Sequence, residues 1–133
     1  IVCTVTSAET PVLQGAWLRP GTHVNAVGAS VPSCREIDND CVRLAKIWVD
    51  YRPMALVAAG ELVEGLRDGT IRPDAIAGEI GALLEGMIPG RESDDQITLY
   101  RSLGVPAQDI EIANYIYAAA LASGAGERVQ FEG

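Results

Sequence analysis

The sequence predicts an α/β domain with parallel strands, on three observations. Short runs rich in β-branched residues recur along the chain, segments with helical spacing lie between them, and Gly and Pro punctuate the boundaries. Strands separated by helices pair in parallel through right-handed crossovers. The size of 133 residues, with 48% hydrophobic and 21% charged, fits one domain or part of one.

The elements follow in order. Ile1 to Thr6 is a short uncharged run, as expected of a strand buried on both faces. Ser7 to Thr10 reads as a loop, and Pro11 to Leu18 holds a helical turn that Pro20-Gly21 ends. Thr22 to Val27 is a second strand, followed by Gly28-Ala29-Ser30. Arg35 to Leu44 fits a helix with an apolar stripe through Ile37, Cys41 and Leu44, and Lys46 to Asp50 is a third strand. Met54 to Leu66 reads as one or two short helical segments interrupted at Gly60 and Gly65. Pro73 starts a helical turn, and Glu79 to Glu85 continues as helix. Gly90 to Gln96 is a charged loop, and Ile97 to Tyr100 is a short strand. Gln108 to Ser123 is a long, Ala-rich apolar helix, and the last ten residues form a loose tail. Three buried strands are too few for a doubly wound sheet, so the chain reads as a fragment whose first strand has neighbours elsewhere.

Charge excludes more than it names. The formal net charge is -8, with ten basic residues scattered among eighteen acidic ones, which argues against nucleic-acid binding. Cys3, Cys34 and Cys41 form no CxxC pair, and His23 is the single histidine, so no metal site is expected. Isolated thiols suit a reducing cytoplasm. No apolar run reaches the roughly 18 residues that cross a bilayer, so no membrane partner is expected.

No GxGxxG, P-loop, GxSxG or HExxH motif occurs; Gly60, Gly65 and Gly69 are not arranged as a strand-to-helix turn. Candidate chemistry therefore falls to the strand ends, because open α/β sheets bind ligands beyond the carboxyl ends of their strands. Thr4-Val5-Thr6-Ser7 ends the first strand with hydroxyls, and Val27-Gly28-Ala29-Ser30 ends the second with a glycine that lets a ligand approach the backbone. Either could be an ordinary βα turn, and the second loop is the better candidate of the two. Arg101-Ser102-Leu103-Gly104 is either a turn into the last helix or a loop folding over a ligand. His23 fits a hydrogen-bonded structural residue better than a base. Trp17 and Trp48 fit core or interface packing, and Asp94-Asp95 fits a solvated loop better than a cation cage.

The order of segments resembles the ornithine cyclodeaminase/mu-crystallin family from about Ile1 to Ala122. TVTSAETPVLQGAWLRPGTHVNAVGAS, REID, KIWVD, the AAGEL that begins at Ala58 and AGEIGALLEGMIPGRESDDQITLYRSLGVPAQDI carry the resemblance, with NAVG followed by TLYRSLG its most specific part. The resemblance implies a homodimer of two-domain subunits that bind NAD or NADP and act on a small molecule, an amino acid or a cyclic imine. Residues 1–97 would be the later half of a Rossmann-type NAD(P)-binding domain. Residues 98–133 would be the return segment, with the last helix belonging to the dimerisation and substrate domain. On this basis the isolated chain is expected to bind NAD(P)H weakly, because the pyrophosphate loop would lie upstream.

Carried over by resemblance, Thr6 and Ser7 touch the cofactor, Val27, Gly28 and Ala29 lie beside the nicotinamide, and Ser102, Leu103 and Gly104 close near its ring. Ser30 is the implied catalytic position: cyclodeaminases carry Asp there, whereas mu-crystallin-like members carry Ser. Cys34 stands where cyclodeaminases have Lys, and Ala58 departs from the family's usual Glu. These differences favour a one-step cyclic imine reductase or amino-acid dehydrogenase. The alternatives are an ornithine cyclodeaminase and a mu-crystallin-like binder of small ligands without catalysis.

Overall fold

A computed structural model describes residues 1–130 of the chain. Among the described residues five strands form one sheet: β1 (Val2–Thr4), β2 (His23–Ala26), β3 (Lys46–Val49), β4 (Ile76–Glu79) and β5 (Thr98–Arg101). Every pairing is parallel and the spatial order is β1-β2-β5-β3-β4. The last strand in sequence is thus the middle one, with Leu99 beside both Val24 and Ile47.

Five helices connect and flank the strands: α1 (Asn39–Leu44), α2 (Arg52–Ala58), α3 (Gly60–Arg67), α4 (Ile80–Leu84) and α5 (Pro106–Ser123). Asp38 begins α1 as its N-cap, accepting from the Cys41 N–H at 2.9 Å. Crossovers from β2 to β3 and from β3 to β4 run in one direction across the sheet, so the right-handed rule puts α1, α2 and α3 on the same face. There Val24, Ala26, Ile47, Val49 and Leu99 pack against Val42, Ala55 and Leu62 in a single core. The return from β4 to β5 runs the other way and places α4 on the opposite face, where Ile80 and Leu83 share a cavity with Trp48, His23 and Tyr100.

Several expectations are corrected. A fifth strand, β4, joins the sheet where only a turn leading into a helix was expected; Ile76-Ala77-Gly78-Glu79 is short and Gly-containing, and it is strand because β3 pairs with it. β1 is shorter than Ile1 to Thr6, and among the described residues it is the outer strand, with Cys3 exposed. The first α-helix begins at Asn39 rather than Arg35, and the break between α2 and α3 falls at Ala59, with Gly65 inside α3. Of the two tryptophans expected in core or interface packing, Trp48 is buried in the core and Trp17 is 60% exposed.

α5 ends at Ser123 as expected but starts two residues earlier, with Pro106 in its first turn, and Gly124 closes it in the left-handed conformation at φ 66°. None of its residues is buried, and Ile110, Ile112, Tyr115, Ile116, Tyr117 and Leu121 all stand exposed around it. Residues 124–130 carry no regular secondary structure, and the rest of the expected tail lies outside the described residues. No described helix is long and apolar enough to cross a membrane.

Candidate functional site

Parallel strands put all their carboxyl ends on one edge of the sheet. Three loops leave neighbouring strands there: residues 5–8 after β1, 27–30 after β2 and 102–104 after β5. All nine residues singled out from the sequence fall on these loops. Thr6, Ser7, Val27, Ser30 and Gly104 are exposed; Gly28 and Leu103 are half-buried; Ala29 and Ser102 are buried.

Buried charges join the loops to one another. The Glu36 carboxylate accepts from the Thr6 N–H through Oε1, and from the Thr4 hydroxyl at 2.7 Å and the Gly28 N–H at 2.8 Å through Oε2. Burial works to raise its pKa, but those donors, Thr6 foremost, outweigh burial and hold the carboxyl below its ordinary range. Gly28 sits so close to the first loop that a Cβ there would overlap the Thr6 backbone and Glu36 Oε1. The glycine thus serves loop-to-loop contact, beyond the expected approach of a ligand.

Arg101 joins the second loop to the third. Its guanidinium donates to the carbonyls of Ala26, at 3.2 Å, Ala29 and Ser102. Its Nε faces Glu61 Oε1 in a wholly buried ion pair that lacks hydrogen-bond alignment, which leaves Nε and both Glu61 oxygens without a hydrogen-bond partner among the described residues. Burial pushes the Glu61 carboxyl above the ordinary range, against the pull of Arg101.

Asp50, just past the end of β3, holds the third loop. Its Oδ2 accepts from the Ser102 hydroxyl at 3.1 Å and from the Leu103 and Gly104 N–H groups at 2.7 Å each. Gly104 adopts φ 84°, which favours glycine and turns the chain into α5. Adjacent strand ends of the parallel sheet place Arg101 and Asp50, whereas Glu36 reaches the same edge from the segment before α1, which is held by the Leu13–Ile37 bridge.

Sequence reasoning missed Glu36, Asp50 and Glu61, and singled out Arg101 only as part of a candidate loop, with no role for its charge. A signal was present in AAGEL and TLYRSLG, where a single charge stands among uncharged residues, whereas in REID and KIWVD the buried carboxylate stands among other charges. Charges almost never become fully buried unless paired, so a charge in such a setting marks a polar network.

The exposed surface of this edge is neutral. Hydroxyls of Thr6, Ser7 and Ser30 stand beside Val27 and Leu103, and the single cation of the three strand ends, Arg101, is buried. A neutral, partly apolar edge with hydroxyl groups fits a nicotinamide with its carboxamide. It offers no cation for a pyrophosphate, whose contacts would have to come from other residues. The Ser30 hydroxyl makes no hydrogen bond to another described residue, so nothing described here turns it into a base. His23 is no substitute: its ring bonds the Thr98 hydroxyl at 2.7 Å and Asn25 at 3.2 Å, at the opposite end of β2 from the loops. This is the structural role expected of it. Cys41 is buried, and burial with the nearby Asp38 pushes its thiol up to about 12, so it is no nucleophile.

Comparison with known proteins gives a consistent picture. Residues 1–124 match the sequence profile of the ornithine cyclodeaminase/mu-crystallin family. The Delta(1)-pyrroline-2-carboxylate reductase of Bacillus cereus is 37% identical over 132 residues, 98% of this chain and 40% of that protein. The structure of the Thermococcus litoralis Delta(1)-pyrroline-2-carboxylate reductase in complex with NADH and L-proline superimposes with a TM-score of 0.87 at 34% identity, over 96% of this chain and 40% of that one. An archaeal alanine dehydrogenase dimer with bound NAD superimposes with a TM-score of 0.82 at 35% identity, over 98% of this chain and 41% of that one. The chain spans about 40% of the length of the curated relatives it matches.

Proposed function

The chain belongs to the ornithine cyclodeaminase/mu-crystallin family, and from that premise we propose that it supplies the nicotinamide-facing edge of an NAD(P)-dependent reductase of cyclic imines or 2-imino acids. The observation that carries the proposal is the convergence of three loops on one sheet edge, each tied to the next by a buried charge. The two relatives named for pyrroline-2-carboxylate reduction favour a cyclic imine as substrate, and the alanine dehydrogenase keeps an amino acid in view.

NADH or NADPH, when bound, supplies the hydride for the carbon of the C=N bond. Thr6, Ser7, Val27, Gly28 and Ala29 line its nicotinamide side, and Ser102, Leu103 and Gly104 close over it. Ser30 offers a hydroxyl that orients the substrate nitrogen or a water beside it. A hydroxyl without an activating partner holds geometry and does not take a proton near neutral pH, which suits one hydride transfer better than the oxidation and ring closure of a cyclodeaminase.

The central place of β5 in the sheet supports drawing the Rossmann-type part through Arg101, four residues beyond the boundary at residue 97 that the resemblance implies. α5 then belongs to the dimerisation and substrate domain, where its exposed apolar residues meet the rest of the subunit or its partner in a homodimer. Three free thiols fit a reducing cytoplasm.

The test is an assay of the full-length protein. With Delta(1)-pyrroline-2-carboxylate and NAD(P)H, absorbance at the reduced nicotinamide band falls and proline accumulates. With ornithine and NAD, neither proline nor ammonia appears. Efficient proline formation from ornithine, with Ser at position 30, would contradict the proposal.

A further inference from the structure

We propose that Glu36 is a positioning residue for the dinucleotide: one buried carboxylate that fixes the separation of the Thr6–Ser7 loop from the Val27–Ser30 loop. The inference rests on the nicotinamide-edge function proposed above and names the group that gives the edge its shape.

Four observations converge on it. The two carboxylate oxygens divide the work, Oε1 taking the Thr6 N–H and Oε2 taking the Gly28 N–H and the Thr4 hydroxyl. Both loops are thereby referred to a single rigid group. The side chain is 2% exposed and the residue's backbone is itself fixed, its carbonyl accepting from the N–H groups of Val12 and Leu13 at 2.8 and 3.0 Å. The loops also touch directly, since Gly28 leaves no room for a Cβ against Thr6, so a shift of one displaces the other. Finally, the Val27 N–H donates to the Thr4 carbonyl at 3.0 Å, which continues the β1–β2 ladder up to the point where Glu36 takes over.

Glu36 is buried and its carboxylate is taken up by three donors, yet it determines where Thr6, Ser7, Val27 and Ala29 stand. Its hydrogen bonds keep it ionised at neutral pH, and the clamp is lost only as pH falls through its lowered pKa. Glutamine cannot replace it. An amide has one acceptor oxygen, so either Thr6 or Gly28 would face an NH2 group instead.

The experiment compares the full-length wild type with Glu36→Gln, Glu36→Asp, Thr4→Val and, as a control for stability loss alone, Ile76→Val on the far edge strand β4. Thermal midpoint, KM for NAD(P)H and kcat at saturating cofactor are measured for each. Glu36→Gln raises the cofactor KM about 10- to 100-fold while kcat changes by less than about 5-fold, as expected when binding geometry is displaced by a fraction of an ångström. Glu36→Asp keeps the charge and recovers part of the affinity. Thr4→Val, which removes one of the three donors, raises KM by about 3- to 10-fold. Ile76→Val lowers the thermal midpoint without moving the cofactor KM. Should Glu36→Gln fail to fold, Thr4→Val carries the test. An unchanged cofactor KM in the folded variants, or an equal rise in Ile76→Val, overturns the positioning role alone. A wild type that binds no NAD(P)H overturns the proposed function, and the inference with it.

Discussion

Ser30 illustrates how far a single residue carries the account. It stands exposed at the tip of the second loop, two residues beyond the glycine that Glu36 holds. A hydroxyl there contributes a positioned hydrogen bond and no charge. Ser30→Ala in the full-length protein is expected to slow imine reduction about 5- to 150-fold, corresponding to about 1–3 kcal/mol, with thermal stability unchanged. Steady-state kinetics check this, and a variant with no loss, or a loss beyond about 10^4-fold, would assign the position a different role. The position was legible in the sequence because it closes a strand-plus-glycine segment that resembles the family. Glu36, Asp50, Glu61 and Arg101 were not read as site residues. Composition treats a charge as solvated by default, and only the packing of α1 and α3 against the sheet, through Val42 and Leu62, shows which charges are enclosed.

At the scale of elements, the strands and helices were readable where local pattern decides them and unreadable where pairing does. Thr22 to Val27 and Lys46 to Asp50 are short runs containing β-branched residues, and the structure forms strands inside both. β4 is strand through its partner β3, across a register shift between Ile47 and Trp48, and no property of its own four residues announces it. The placing of β5 between β2 and β3 is likewise a matter of which edges meet, which periodicity does not encode.

The third loop depends on such an arrangement, since Asp50 follows β3 while Ser102, Leu103 and Gly104 follow β5. Asp50→Ala removes the acceptor of two N–H groups and a hydroxyl. Water can serve the exposed Gly104 but not the buried Ser102, so the expected destabilisation is about 2–4 kcal/mol, with a raised cofactor KM. A urea unfolding midpoint within error of the wild type would show that the loop is held by something else. α5 marks the other limit of local reading. Its length and caps follow from sequence, but its apolar surface lacks the one-sided stripe that would say what it packs against.

At the scale of the whole molecule, the sheet edge is a rigid platform. Its three loops are continuations of adjacent parallel strands, and the charges beneath them are anchored in the core formed by Val24, Ile47, Leu99 and Leu62. A bound nicotinamide should therefore restrain all three loops together. Hydrogen–deuterium exchange of the full-length protein, with and without saturating NADH, measures this directly. Slowed exchange is expected across residues 5–8, 27–30 and 102–104, with the exposed face of α5 unaffected by the cofactor itself. Tight NADH binding that leaves those three segments exchanging at their free rates would contradict the placement of the nicotinamide on this edge.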